Sequence, residues 1–317
     1  MPDDALEEYD SRETVQAIGQ ALEAMGHSVL YLGGGREFLT NIQNRHVDFV
    51  FNISEGLGNS RSREAQIPSV LEMLGIPYSG SDPQCLAVCL DKPLAKKLVA
   101  TAGVATPRWR VFDDIEQLRE ETWDGFPFPV FVKPGYEGSS KGIRYNCRAE
   151  SAAQTIELAA ELLAVYRQTV IVEEYVRGEE VTVGMIGNSP PQIVGIMRIL
   201  PRNKEADFIY SLEVKRDWEN LVEYECPANL DNGVLQRIAR ASTSAFDVLG
   251  CRDFARIDFR VSASGIPYFL EINPLPGLNP RISDISIMAV KSGWNYEALI
   301  SAIMDAALQR QNICVTK

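Results

Sequence analysis

Apolar positions recur at helical spacing over residues 11–25, where the stretch stops at Gly26, and again over residues 64–74, closed by Gly75. Two short apolar runs, 28–32 and 47–53, lie between them and read as strands. This alternation predicts a small α/β unit. Such a unit ordinarily opens on a strand, whereas this chain enters almost directly into a helix, so a first strand is expected to be missing.

From Asp91 the pattern changes. A lysine-bearing helix over 93–102 ends at Gly103, and an extended stretch leads to Pro107. A strand over 128–134 runs into the glycine-serine loop 135–142, followed by a helix over 149–166 and a strand over 170–176. The remainder offers strands at 181–186, 193–199, 255–261 and 268–272, with helices at 231–249 and 295–308. No internal repeat or low-complexity tract appears, so linkers are short. The chain divides into an N-terminal unit 1–86, a central unit 87–176 and a C-terminal unit 177–317, an α/β (α+β) arrangement.

With 317 residues, 45% hydrophobic and 23% charged, the composition is that of a folded chain of two or three domains. Thirty-one Lys and Arg stand against 43 Asp and Glu, a formal net charge of −12. Such a field repels polyanions and excludes a broad nucleic-acid surface, so an anionic ligand needs a local basic cluster. No run approaches the roughly 20 apolar residues of a membrane span. The opening residues are acidic and read as neither signal nor transit peptide. Six scattered cysteines without a C-x-x-C pair, and two histidines, suggest neither a disulfide framework nor a zinc site, and a reducing cytoplasm is the natural setting.

The sharpest chemistry lies in the strand pair around Ser264-Gly265. A hairpin centred there sets Asp258 opposite Glu271 and Arg256 opposite Asn273. Period-2 alternation then puts these four on one face and Ile257, Phe259, Leu270 and Ile272 on the other. Two opposed carboxylates repel, and an all-oxygen set of Asp, Glu and Asn suits Mg²⁺. The plainer reading is a solvated ion-pair ladder on an exposed sheet face. Lys133 ends a strand on the same face as Phe131, partly buried and in need of an anion. Gly135, Gly138, Ser139, Ser140 and Gly142 follow it, with the backbone freedom and hydroxyls of a phosphate cradle. A loop of this composition is also often only a flexible turn. It is neither a P-loop nor a dinucleotide fingerprint. Residues 170–183 offer an apolar sandwich and carboxylates suited to a nucleoside, though Glu-Glu doublets are commonly just solvated surface.

Taken in order, Asp91-Lys92, Phe131-Val-Lys133-Pro, Glu137-Gly-Ser-Ser-Lys-Gly142, Glu173-Glu-Tyr-Val, Gly178-Glu-Glu-Val-Thr-Val, Arg256-Ile-Asp258 and Glu271-Ile-Asn273-Pro-Leu-Pro-Gly277 resemble the D-alanine-D-alanine ligase family of the ATP-grasp superfamily. The likeness spans nearly the whole chain, including Leu74-Gly-Ile-Pro-Tyr-Ser-Gly80. It implies an ATP-grasp fold and a ligase that activates a carboxylate as an acyl phosphate and joins it to an amine. By the same resemblance Lys92 and Lys133 contact ATP phosphates under a loop carrying Ser139 and Ser140. Glu173, Glu174, Tyr175 and Val176 line the adenine pocket, Glu180 holds the ribose, and Lys215 reaches in from a lid loop over 208–218. Asp258, Glu271 and Asn273 bind two Mg²⁺, with Mn²⁺ an alternative, while Arg256 and the Gly277 backbone stabilise the tetrahedral intermediate. The implied partners are small amino acids and a second copy in a homodimer, and the implied setting is peptidoglycan biosynthesis.

The chain also departs from that pattern. Ile53-Ser54-Glu55-Gly56 stands where these ligases often carry Leu-His-Gly, and Arg216 stands where a lid tyrosine commonly follows the lysine. The segment 278–284 is longer than the usual turn, with Ser283 a candidate for the acceptor's carboxylate. Glu13 is the nearest match for the first amino acid's ammonium site. The competing readings are a non-catalytic ATP-binding protein with a regulatory role, and a truncated ligase that binds ATP without ligating.

Overall fold

The computed structural model describes residues 2–203 and 208–314. Its helices are α1 (Arg12–Ala24), α2 (Gly35–Asn44), α3 (Gln66–Leu74), α4 (Pro83–Leu90), α5 (Lys92–Thr101), α6 (Ile115–Glu120), α7 (Ala152–Tyr166), α8 (Leu212–Arg216), α9 (Trp218–Leu221), α10 (Asn232–Val248), α11 (Asp284–Lys291) and α12 (Tyr296–Arg310). The strands are β1 (Trp109–Phe112), β2 (Val130–Pro134), β3 (Arg148–Ala149), β4 (Val170–Glu174), β5 (Gly178–Ile186), β6 (Gln192–Pro201), β7 (Val222–Glu225), β8 (Phe254–Ser262) and β9 (Pro267–Asn273). They form two antiparallel sheets, ordered β1-β4-β2-β3 and β7-β6-β5-β8-β9. Among the described residues no helix is long and apolar enough to cross a membrane.

Alternation along the strands decides what each sheet face does. Val130, Val132, Val170 and Val172 pack against Ala159 of α7, which leaves Phe131, Lys133 and Glu173 on the other face. In the larger sheet, Val181, Val183, Ile257, Phe259, Phe269 and Ile272 bury against α5 and α10, each such side chain contributing about 1.5–3 kcal/mol. Thr182, Arg256, Asp258 and Glu271 therefore face away from that core.

The expected hairpin register is present: Asp258 pairs with Glu271 and Arg256 with Asn273. It holds only up to a bulge. Beyond it Phe259 pairs with Phe269, which leaves Leu270 without a partner on β8. Leu270 thus leaves the core face assigned by simple alternation and lines the same cleft as Glu271. The physical reason is packing: Phe259 and Phe269, both fully buried, meet edge-on at 6.2 Å under the sheet.

In the first eighty residues the helices form and the strands do not. Residues 27–33 and 47–53 form no strand, and among the described residues they make a single isolated bridge, Val50 with Tyr78 in parallel. An extended segment becomes a strand when a neighbour accepts its ladder, and residues 3–8 form turns into α1 rather than supplying one. α1 is capped by the Ser11 side chain and buries Ile18 and Leu22 in the cluster that includes Ile300 and Ile303 of α12. Cys85 and Cys89 of α4 meet Cys251 in the core, with Sγ–Sγ distances from Cys85 of 3.7 and 3.6 Å. Sequence spacing did not show this meeting, because Cys251 arrives from a distant loop.

Candidate active site

Between the cleft-facing sides of the two sheets lies a cavity. Its basic lining comes from Lys133 of β2, Lys215 of α8 and Arg256 and Arg260 of β8, and two lysines of α5 pair with carboxylates that line it. Asp91 caps α5 by accepting from the Leu94 amide, so Lys92 and Lys96 project from one face of the first turns. Lys96 is fully buried, its Nζ 2.8 Å from Glu173 Oε1 and donating to the Phe269 carbonyl. Lys133 Nζ lies 2.9 Å from the other Glu173 oxygen. Burial lowers the Lys96 pKa to about 8 despite this carboxylate. For Glu173 burial pushes upward, but Lys133 and Lys96 outweigh it and hold the group below its ordinary value.

Asp258 and Glu271 lie on adjacent strands beside Arg256. Arg256 Nη2 is 2.8 Å from Asp258 Oδ2, and its Nη1 is 3.5 Å from Asp284. Thr182 donates to Asp258 at 2.6 Å. Lys92 Nζ is 3.2 Å from Glu271 and also donates to the Glu137 carbonyl. Burial works against ionisation of Glu271, yet Lys92, Lys133 and Arg256 hold its pKa far below the usual carboxylate range. Asn273 is within reach of both carboxylates, at 3.5 and 3.4 Å. Here the Asn273 amide nitrogen is the donor; the donor set of two carboxyl groups and a carboxamide is of the oxygen-rich kind that fits a hard divalent cation such as Mg²⁺.

The glycine-serine loop is sharply bent, with Ser139 and Ser140 at φ of 49° and 59°, a left-handed pair that non-glycine residues adopt only at a cost. Gly142 must be glycine: its φ is +72°, and a Cβ would lie 2.4 Å from Pro134. The N-terminal turn fastens this loop. The Gly142 amide donates to Asp4 at 2.9 Å, and buried Arg63 joins Glu8 to Glu137 at 2.7 and 3.2 Å.

Of the residues expected over the nucleotide, Lys133, Ser140, Glu173, Glu174, Tyr175, Val176, Glu180 and Lys215 all line this cleft. Glu174 also pairs with Arg108 at 3.3 Å, and Glu180 pairs with Arg260. A second, small cavity brings together Lys92, Ser139, Arg256, Glu271, Asn273 and Gly277 with Glu55 and Glu64 of the first unit. The segment expected as a lid loop is instead helical at α8, capped by Ser211, with Lys215 Nζ 5.1 Å from the Tyr210 ring. Ser283 caps no helix amide; its hydroxyl accepts from Asn279 N at 2.9 Å. Glu13 lines neither cavity. It is exposed on α1 and ion-paired with Arg281 at 2.7 Å.

Sequence reasoning missed Lys96, Thr182, Tyr210 and Asp284, all of which touch site residues. For Lys96 a signal existed, since it lies one helical turn from Lys92 on the same face. Tyr210 hydrogen-bonds Tyr224 at 2.6 Å and Asp284 at 3.4 Å, so a tyrosine does enter the cleft, ahead of Lys215 rather than after it.

Two antiparallel sheets closing on a lysine-lined cleft make this an ATP-grasp enzyme. The family model for the C-terminus of D-ala D-ala ligase matches residues 98–305. A D-alanine–D-alanine ligase of Aquifex aeolicus is 32% identical over 295 residues, 93% of this chain and 94% of the relative. The D-alanine–D-alanine ligase of Bacillus anthracis complexed with ATP aligns at 25% identity with a TM-score of 0.74 over 96% of both chains. VanG D-Ala:D-Ser ligase from Enterococcus faecalis aligns at 28% identity with a TM-score of 0.68, over 82% of this chain and 73% of its own. The chain belongs to the D-alanine–D-alanine ligase family and is an ATP-dependent ligase that forms amide bonds.

Proposed function

We propose that this enzyme phosphorylates the carboxylate of one amino acid with ATP and joins it to the amine of a second, as D-alanine–D-alanine ligase or as a close relative with another amino-acid pair. The observation that carries this is the meeting, at one place, of Lys92, Arg256 and the opposed Asp258 and Glu271, with a small cavity beside them.

In this reading Lys92 and Lys133 neutralise ATP phosphates beneath the Ser139-Ser140 amides. Lys96 compensates Glu173, so the carboxylate that orients Lys133 does not repel the nucleotide. Glu180 takes the ribose, and residues 173–176 take the base. Asp258, Glu271 and Asn273 would hold Mg²⁺, two ions by family analogy with Mn²⁺ able to replace them, supplying Lewis-acid neutralisation of phosphate oxygens. Arg256, pinned between Asp258 and Asp284, is preorganised toward the oxyanion that forms when the amine attacks the acyl phosphate, together with the Gly277 amide. Lys215 and Tyr210 close the cleft over the phosphates and exclude water from the acyl phosphate.

The units 1–86, 87–176 and 177–317, a cytoplasmic homodimer, and a product entering peptidoglycan are carried over on the same footing. The direct test is phosphate release from ATP and Mg²⁺ across D- and L-amino acids, singly and in pairs, with mass spectrometry of each active mixture. An ATP-dependent amide product supports the ligase reading, and its absence from every pair refutes it.

A further inference from the structure

Residues 3–8 form consecutive turns carrying four carboxylates, and each of these meets a basic side chain or a backbone amide from another part of the chain. Asp4 is fully buried, and its Oδ2 accepts from the Gly142 amide at 2.9 Å, the Tyr166 hydroxyl at 2.6 Å and Arg144 at 3.5 Å. Glu8 pairs with Lys141 of the glycine-serine loop at 3.2 Å. Glu7 accepts from Arg216 Nε at 2.9 Å, on the residue next to Lys215 in α8.

Further contacts join the loop to α8 directly. The Leu212 amide donates to the Ile143 carbonyl at 3.0 Å, and Arg144 lies 3.4 Å from Glu213 as well as beside Asp3 and Asp4. The N-terminal turn, the loop and α8 are therefore tied to one another pairwise. Ser140 of the loop and Lys215 of α8 both line the cleft. A left-handed pair such as Ser139-Ser140 persists where its surroundings over-determine the backbone, and this loop is held on both sides of the pair, at the Glu137 carbonyl by Lys92 and at the Gly142 amide by Asp4. A buried carboxylate accepting from a backbone N–H is among the stronger ways to fix a loop. The same ties account for a departure from the family pattern: Arg216, standing where a tyrosine commonly follows the lysine, has its guanidinium taken by Glu7 while Lys215 lines the cleft.

We propose that the acidic turn positions the two segments that cover the nucleotide cleft, Asp4 by fixing the glycine-serine loop at Gly142 and Glu7 by fixing α8 at Arg216. Both are positioning residues: neither lines the cleft, and each acts through the segment it holds. This rests on the placement of ATP in that cleft. Only Oδ2 of Asp4 has partners, and Oδ1 is sealed without one among the described residues, so asparagine can keep all three contacts at a single oxygen.

The test measures binding of the non-hydrolysable analogue AMP-PNP with Mg²⁺ by calorimetry, and kcat and KM with the amino-acid pair that yields most amide product. Wild type is compared with Asp4→Ala, Asp4→Asn, Glu7→Arg, Arg216→Glu and the double exchange Glu7→Arg/Arg216→Glu. Asp4→Ala should weaken AMP-PNP binding and raise the KM for ATP by about tenfold, the order expected for one hydrogen bond to a charged group, with the amino-acid KM values unmoved. Asp4→Asn should recover most of that loss. Glu7→Arg and Arg216→Glu should each weaken AMP-PNP binding by about two- to fivefold at low ionic strength, and the double exchange should restore it. Unchanged nucleotide binding in Asp4→Ala, or a loss falling equally on ATP and the amino acids, overturns the positioning role and leaves a turn that only stabilises the fold. If Asp4→Ala does not fold, the exchange decides: single variants that match wild type, or a double variant no better than the worse single, overturn the role. Wild type that binds no AMP-PNP with Mg²⁺ overturns the nucleotide placement and the positioning role with it.

Discussion

On the side of the cleft built by α5, β2 and β4, buried charges are paired before any ligand arrives: Lys96 and Lys133 divide the two oxygens of Glu173 between them. Across the site, in the first unit, Glu55 and Glu64 line a second cavity without a direct hydrogen bond or ion pair to any described residue, though Arg63 is close enough to favour their charged forms. The paired side is preorganised, because each buried charge already has its counter-charge within ion-pair distance. On the first-unit side burial raises both carboxyl groups, and Arg63 offsets that only in part.

The comparison is tested most harshly at the metal and phosphate groups. Chelation with EDTA should abolish turnover and added Mg²⁺ should restore it, with Asp258→Asn raising the Mg²⁺ concentration needed for half-maximal rate. A rate indifferent to chelation would return the acidic hairpin to a purely structural role. Lys133→Ala should lower kcat by about 10²–10³-fold, the scale of removing one preorganised electrostatic contact, measured by phosphate release.

Stability separates the two sides next. Lys96→Met leaves Glu173 buried with Lys133 alone and should cost about 2–3 kcal/mol in urea unfolding, somewhat less than full loss of a buried pair's partner. Glu64 predicts the opposite sign. Its pKa is about 7 in the folded chain against 4.5 for the free group, so between those values the native state holds the extra proton. Stability accordingly falls as pH rises from 4.5 to 7. Glu64→Gln should flatten that window and be more stable than wild type at pH 8, by on the order of 2 kcal/mol. A Glu64→Gln variant with the wild-type slope would show that Glu64 is compensated after all. The smallest effect belongs to Glu13→Ala: as half of an exposed ion pair it should change kcat/KM less than about twofold, and a large loss would return the ammonium role to Glu13.

Much of this site was legible in one dimension. The hairpin around Ser264-Gly265 set Asp258 against Glu271 because a short turn fixes which residues pair. Lys133 could be placed on the cleft side because alternation puts it opposite Val130 and Val132. The first unit was read less well. Its apolar runs were taken for strands, but strand formation depends on a neighbouring ladder, and residues 27–33 and 47–53 have only the Val50–Tyr78 bridge.

The sequence by itself determined what depends on near neighbours along the chain: the helices with their caps, the hairpin register up to the bulge, the lysine, glycine and serine chemistry of the loop, and the family. Only the tertiary structure decided which residue the bulge displaces, because Leu270 is expelled by the fit of Phe259 against Phe269. It alone brought Lys96 to Glu173 and set Glu55 and Glu64 across from Arg256. Those meetings join segments far apart in the chain, and no local periodicity encodes them. They follow from how α5 and the first unit bury their apolar faces, and the charges go where that burial carries them.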